Sequence, residues 1–505
     1  MIINVTVFNE YISMRDTLLV AIVHYHLRPG GVTRVIERAV SSLAEHDVKV
    51  VILTGEQPDP DFKLINLVRV VKGLGYPSTS SKCSAHELVK QLMMEARSSF
   101  GTIPDIWHFH NHSLGKNCAL TEAVRLLSLE GHKMLLQIHD FAEDGRPYLF
   151  QTILRQIGNE NVSKLSEHVY PQASHIHYAT LNSRDRALLA NAGIPEPQLH
   201  LLPNPVALAD SSSEYPTNKS PAEGRLFLYC TRAIKRKNIG EFILWALAGD
   251  AHDRYAITLA PENPDERPAY DRWVALAREC NIPVEFELAV KCGKPFHVML
   301  ESAWATVTTS LAEGFGLAFL EPWLVQRPVL GRKLPEITNE FETAGIDLSL
   351  LYHRLLLPVS WLNKDALLKK TQTRLSVLLS AYGRDLRPGD EEKAINNAMD
   401  GDRIDFGYLD EEMQQKIIRK VAGSKFLKRE FRPSNLAPTC NVSRMVEHNQ
   451  KVVKRVFSLK HYGLQLMDLY CQLETSEIET TINGLDMNKI LDTFLSPERF
   501  CLLRS

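Results

Sequence analysis

Apolar and polar positions along this chain follow two rhythms that take turns. Leu18-Leu19-Val20-Ala21-Ile22-Val23 is an unbroken apolar run, as a strand covered on both faces requires. A turn follows at Arg28-Pro29-Gly30-Gly31, and then Val32, Val35, Ile36, Ala39, Val40 and Leu43 recur at helical spacing. Val48–Leu53, Ile106–His110 and Lys133–His139 read as further strands. Strand, helix and strand in this order predict an α/β unit with a doubly wound parallel sheet.

A polar stretch, Ser211-Ser212-Ser213-Glu214-Tyr215-Pro216 and onward, interrupts the pattern and reads as a linker. Alternation then restarts with strands at Leu226–Cys230, Tyr255–Leu259 and Ala305–Thr309 and a helix at Ile239–Ala248. Two α/β domains with a cleft between them are expected. From about Asn363 the pattern turns helical, with amphipathic runs at Leu367–Ala381 and Glu411–Val421. A long segment, Val452–Leu473, is expected to pack across both domains. The breaks divide the chain into 1–208, a linker at 209–224, 225–445 with a helical insert at about 363–444, and 446–505.

Composition narrows the function classes. The chain has 505 residues, enough for more than one domain, and 44% of them are hydrophobic. A net charge of −2 gives no general drive toward nucleic acid or an anionic membrane. No apolar run is long enough to span a bilayer, and Met1-Ile2-Ile3-Asn4-Val5-Thr6 lacks the basic region of a signal peptide. Eight scattered cysteines without a Cys-x-x-Cys pair predict reduced thiols and a cytoplasmic protein.

The chemistry concentrates at strand ends. Glu313-Gly314-Phe315-Gly316-Leu317 follows a strand and precedes an apolar run, Leu317–Leu324, that reads as a helix containing Glu321. A strand, a glycine turn and a helix start predict an anion site, with Glu321 two helical turns beyond Glu313. Such a turn also fits a solvated surface acid. Arg232, Lys235, Arg236 and Lys237 follow another strand, where cations either neutralise a diphosphate or form a solvated loop. Gly30-Gly31 lacks the full dinucleotide spacing but allows close backbone approach. His139 either donates to a sugar hydroxyl or packs on Phe141. His108, His110 and His112 alternate along one strand and invite a metal reading. With no adjacent acid, they read rather as a strand whose polar end reaches the cleft, and no metal is expected. Arg28, Asn111, His112, Asp144 and Arg146 are acceptor candidates from their strand-end positions.

Together these residues resemble the retaining glycosyltransferases of family 4, whose GT-B fold sets two Rossmann-like domains face to face. The resemblance rests on Gly30-Gly31 with Arg34, Ile138-His139-Asp140, Leu202-Pro203-Asn204-Pro205, Arg232 with Arg236-Lys237-Asn238, and the Glu313 to Glu321 run. It implies a helical C-terminal region crossing back over both domains. It also implies transfer of a hexose from a nucleotide-diphosphate sugar, of UDP-glucose or GDP-mannose type, to a hydroxyl acceptor, without metal or other cofactor. Arg232 and Lys237 look like the pair that binds the diphosphate. Glu313 looks like the acid that holds the sugar, and Glu321 like the ribose-binding carboxylate. Phe315, Gly316 and Leu317 join Gly30 and Gly31 in the donor site, and His139 stands near the anomeric carbon. Asn204-Pro205 departs from the family's Asn-Gly, and the helical insert is longer than a minimal member needs. A non-catalytic binding module and a nucleotide-sugar epimerase on the same fold are the alternatives. Assembly into an oligomer stays open.

Overall fold

The computed structural model describes residues 17–76, 83–208, 224–431 and 442–505. The linker expected at 209–224 lies outside the described residues apart from Gly224, as does the Met1–Thr6 segment. Thirteen strands form the two large sheets: β1 (Leu18–His24), β2 (Val48–Thr54), β3 (Val68–Val70), β4 (Ile106–His110), β5 (Met134–Ile138), β7 (Ile176–Thr180) and β8 (Leu199–Leu201) in the first, and β9 (Leu226–Arg232), β10 (Arg254–Leu259), β11 (Val284–Glu285), β12 (Ala305–Thr308), β13 (Val329–Arg332) and β14 (Leu351–Tyr352) in the second. A short β6 (Pro171–Gln172) pairs separately with Asn483–Gly484.

The first sheet runs β3-β2-β1-β4-β5-β7-β8 and the second β11-β10-β9-β12-β13-β14. Every pairing in both is parallel; Val20 stands beside Val50 on one side and Ile106 on the other. Val20 to Val23 are fully buried, as the continuous apolar run predicts. In each sheet the strand order reverses beside the first strand, between β1 and β4 and between β9 and β12. Chain leaving adjacent strand ends at such a point diverges and opens a crevice. The Gly30-Gly31 turn, Asn111–His112, the Arg232–Asn238 loop and the Thr309–Gly316 loop all lie at these two points.

The C-terminal region returns from the second domain to the first, but in two helices rather than one. Val442–Val456 ends before Ser458, whose Oγ caps the next helix, Leu459–Glu474, by accepting from His461 N–H at 3.1 Å. Phe457 between them is buried and its carbonyl accepts from Val206 N–H at 2.7 Å. The first helix rests on the second domain, where Gln450 Nε2 donates to Leu324 O. The second helix packs Tyr462, Leu466 and Leu469 against Ile36, Ala39 and Leu43 of α1 (Gly31–Leu43). A Cβ at Gly463 would lie 2.5 Å from the Ser42 carbonyl oxygen, so this close approach requires glycine.

The insert covers the helix Ile239–Ala248, which is buried on every side. It also braces the cationic loop. Gln414 Nε2, from the helix Glu411–Ala422, donates to Asn238 Oδ1 at 2.9 Å and to Phe406 O at 3.0 Å. Asn238 adopts the left-handed conformation (φ 49°) directly after Lys237.

Candidate functional site

A cavity of about 470 Å³ opens between the two sheets' carboxyl ends. Its floor is built by β9 and β12. Tyr229 OH donates to Lys237 O at 2.7 Å, and Thr309 Oγ1 reaches the carbonyls of Lys237 (3.1 Å) and Asn238 (2.9 Å), so the two loops are stitched together. This brings Lys237 Nζ into an ion pair with Glu313 Oε1. Ser310 Oγ donates to the same oxygen at 2.6 Å, and Arg236 Nη1 reaches Glu313 Oε2 at 3.4 Å. Burial alone would favour a neutral Glu313, but Lys237 and Arg236 outweigh it and hold the carboxyl below its ordinary range. Burial pulls the Lys237 ammonium down, with Arg236 adding to this and Glu313 opposing it. The ionised partner keeps the lysine charged.

Arg232, Phe315, Gly316, Leu317 and Glu321 line this cavity with Glu313 and Lys237. Arg232 pairs with Glu262 at its rim. Gly316 is left-handed (φ 92°), and a Cβ there would meet Phe319 at 2.9 Å. The expected helix is not continuous: Leu317–Phe319 is one 3₁₀ turn, and the α-helix is only Glu321–Leu324. Gly316 and Pro322 break the run. Four residues sum too few peptide dipoles for a strong positive end, so the anion potential rests on the cations. Glu321 therefore begins the helix instead of lying two turns into one.

Glu321 meets a residue that motif reading misses. Arg38 of α1 crosses from the first domain, with Nη2 3.3 Å from Glu321 Oε1. The same guanidinium donates to Pro205 O (2.7 Å) and Ala207 O (2.6 Å). Burial raises the Glu321 pKa, and Arg38 and Arg34 oppose this. The signal in the sequence is the i,i+4 pair Arg34 and Arg38 on the polar face of α1; Arg34 also lines the cavity. Gly31 lines it and Gly30 does not. Neither glycine is required by its backbone: Gly30 is extended, and a Cβ on Gly31 would meet open space.

A second cavity, of about 310 Å³, shares His139, Asp140, Arg236, Glu313 and Gly314 with the first. Asp144, Arg146, Arg184, Asp185, Lys235, Glu266 and Arg504 complete its charged walls. Arg146 pairs with Asp140, and Arg504 Nη2 with Asp144 at 2.8 Å. Of the acceptor candidates, Asp144 and Arg146 face this space. Arg28 lines neither cavity and pairs with Glu56. Asn111 is buried, and its Oδ1 accepts from the backbone N–H groups of His139 (2.8 Å) and Asp140 (3.1 Å). His112 is buried, with Nε2 on Val169 O at 2.9 Å. His108 lies in the core between Tyr470 and Gln137. Among the described residues no group of three or more His, Cys, Asp or Glu is placed to hold a metal ion.

Glu143, buried in the turn behind the second cavity, accepts from Tyr170 OH. Burial raises its pKa to about 7 from an ordinary 4.5. Between these values the unfolded chain has released a proton that the folded chain still holds. The acid therefore costs stability as pH rises through that window and costs nothing below it. At roughly 1.4 kcal/mol per unit, the ceiling is about 3 kcal/mol. Glu143→Gln is expected to raise the melting temperature at pH 8 and leave it unchanged near pH 4.5; an equal shift at both would show that ionisation is not the cause.

Residues 29–210 match the sequence model of Glycosyltransferase Family 4. That stretch holds most of the first sheet, and the two Rossmann-like sheets together have the GT-B architecture. Over 96% of its length the chain is 26% identical to a mannosylglucosyl-3-phosphoglycerate synthase of Petrotoga mobilis, covering 99% of that protein. The fold is similar to sucrose-phosphate synthase from Thermosynechococcus elongatus (TM-score 0.53, 14% identity, 90% of this chain and 99% of that one). It is also similar to the catalytic domain of starch synthase IV from Arabidopsis thaliana (TM-score 0.51, 12% identity, 91% and 100%). Among the described residues no helix is long and apolar enough to cross a membrane.

Proposed function

We propose that the protein is a retaining hexosyltransferase. It moves a hexose from a nucleotide-diphosphate sugar in the larger cavity to a hydroxyl of an acid-bearing sugar acceptor in the smaller one. The observation that carries this is Glu313, paired with Lys237 in the larger cavity and set with Arg236 in the wall the two cavities share. Cleaving the sugar–phosphate bond develops positive charge on the sugar and negative charge on the diphosphate. Arg232 and Lys237 meet the diphosphate as fixed cations. Glu313, released from Lys237 by the incoming anion, takes sugar hydroxyls, and Glu321 takes the ribose. Arg236 borders both cavities, so an acceptor in the second reaches the sugar from the side on which the diphosphate leaves. That approach retains configuration, and no metal is needed to neutralise the leaving group.

An acid on the acceptor fits the cations that line the smaller cavity, Arg146, Arg184, Lys235, Arg236 and Arg504. The Petrotoga synthase is named for a phosphoglycerate-bearing product, so glucosyl-3-phosphoglycerate with GDP-mannose is the first pair to test, and UDP-glucose the second. The seven described cysteines are all free, which fits residence in a reducing cytoplasm.

Nucleoside diphosphates are expected to raise the melting temperature where nucleosides do not. Mass spectrometry should then find a hexosylated acceptor at a rate unchanged by chelator. No thermal response to any nucleoside diphosphate would overturn the donor assignment.

A further inference from the structure

His139 lines both cavities at the end of β5, with its backbone held by Asn111. Its Nε2 lies 2.8 Å from Nδ1 of His110, a residue with no exposed surface, and the two rings stack with centroids 5.1 Å apart. Two imidazole nitrogens at hydrogen-bond distance must share one hydrogen, so one ring donates and the other accepts. Both rings are neutral. Burial lowers the His139 pKa to about 3 and that of His110 well below its ordinary value, and neighbouring histidines push the same way.

Which ring donates follows from the far side of His110. Its Nε2 is buried and has no hydrogen-bond partner among the described residues. If His139 donated, His110 would carry its own hydrogen on Nε2, leaving an orphaned N–H in the core. If His110 donates from Nδ1, its Nε2 is a bare acceptor. Orphaned buried N–H groups are rarer than under-satisfied acceptors. With Nε2 filled, the hydrogen of His139 must sit on Nδ1. That atom has no hydrogen-bond partner among the described residues and is not among the fully buried unpaired atoms, so it is reached from the cavity.

We propose that His110 is a positioning residue that locks His139 in the Nδ1–H form, so that His139 meets the bound sugar as a neutral hydrogen-bond donor and not as a base. This rests on the hexosyltransferase reading for the identity of the ligand, a hexose hydroxyl or ring oxygen. The lock itself does not depend on it. A donor that stays neutral suits a site where positive charge develops on the sugar, because an imidazolium would oppose it. The lock also keeps the ring from accepting the acceptor's proton, which leaves that proton to the departing diphosphate.

Imidazole nitrogen NMR of the full chain labelled with ¹⁵N-histidine tests this, with assignment by loss of signals in His139→Asn. The expected wild-type spectrum has His139 protonated on Nδ1 and bare on Nε2 near neutral pH. A His139 protonated on Nε2 overturns the proposal. His110→Leu should release the lock, so that Nε2–H signal appears at His139. It should lower kcat by about 10- to 100-fold, by analogy with the loss when a partner that orients a metal-bound imidazole is removed, while the thermal response to nucleoside diphosphate is kept. His110→Asn, whose amide N–H can stand where Nδ1–H stood, should recover most of that loss. Wild-type kcat in the Leu variant would count against the proposal. If the Leu variant does not fold, the wild-type spectrum still decides. If no nucleotide sugar reacts, the hexosyltransferase reading falls while the spectrum separately tests the lock.

Discussion

Lys237→Ala is expected to lower kcat by about 10²–10³, the usual loss when one preorganised group facing transition-state charge is removed. The lysine is held for this task from three directions. Tyr229 and Thr309 bind its carbonyl, and Gln414 of the helical insert anchors the next residue. Side-chain placement is thus decided by packing and is not left to loop motion. The substitution also leaves Glu313 buried, with Arg236 at 3.4 Å as its remaining cation. Some loss of stability will accompany the loss of rate, because an uncompensated buried carboxylate is costly. Steady-state kinetics with circular dichroism melts separate the two. A folded Lys237→Ala enzyme with wild-type kcat would remove this residue from the leaving-group site. Glu313→Ala is expected to abolish transfer as well.

Arg332→Leu is expected to destabilise the second domain by about 3–5 kcal/mol, the range for breaking a buried ion pair from one side. Arg332 is buried between Asp405, at 2.7 and 2.8 Å, and Glu241, at 2.5 Å from Nη2. Tyr352 OH donates to Glu241, and Asn238 Nδ2 donates to Glu241 Oε2 at 2.8 Å. The cluster therefore supports the loop that carries Lys237. Without the guanidinium, both carboxylates remain buried, and burial raises the pKa of Glu241. The folded variant then resists ionisation that the unfolded chain completes, so the penalty should grow from pH 5 to pH 8. Denaturant midpoints at both pH values test this. A loss independent of pH would mean that packing, and not charge, is what Arg332 supplies.

The loops that line the larger cavity were legible because their parts are local. Each strand-end loop carries its own chemistry within a few residues, and doubly buried strands mark where those loops begin. The misread elements failed for local reasons as well. Gly316 and Pro322 interrupt a run whose apolar pattern still looks helical, and Ser458 caps a new helix inside a continuous amphipathic stretch. Arg38 left only a faint signal, since an arginine on the polar face of a helix is ordinary until its partner is known. The acceptor candidates were chosen by position along the chain, which does not tell an inward side chain such as His112 from a cavity-facing one such as Arg146.

The sequence by itself determined two parallel α/β sheets, the order of their loops, and which loops carry cations and acids. These follow from apolar periodicity and from composition over short spans. Only the tertiary structure decided that Lys237 and Glu313 pair, that Arg38 reaches Glu321 across the domains, that His110 faces His139, and that Arg504 closes a second cavity beside Asp144. Those partners stand 76, 283, 29 and 360 residues apart. Their meeting depends on where each sheet reverses and how the C-terminal helices fold back, and no local pattern encodes that.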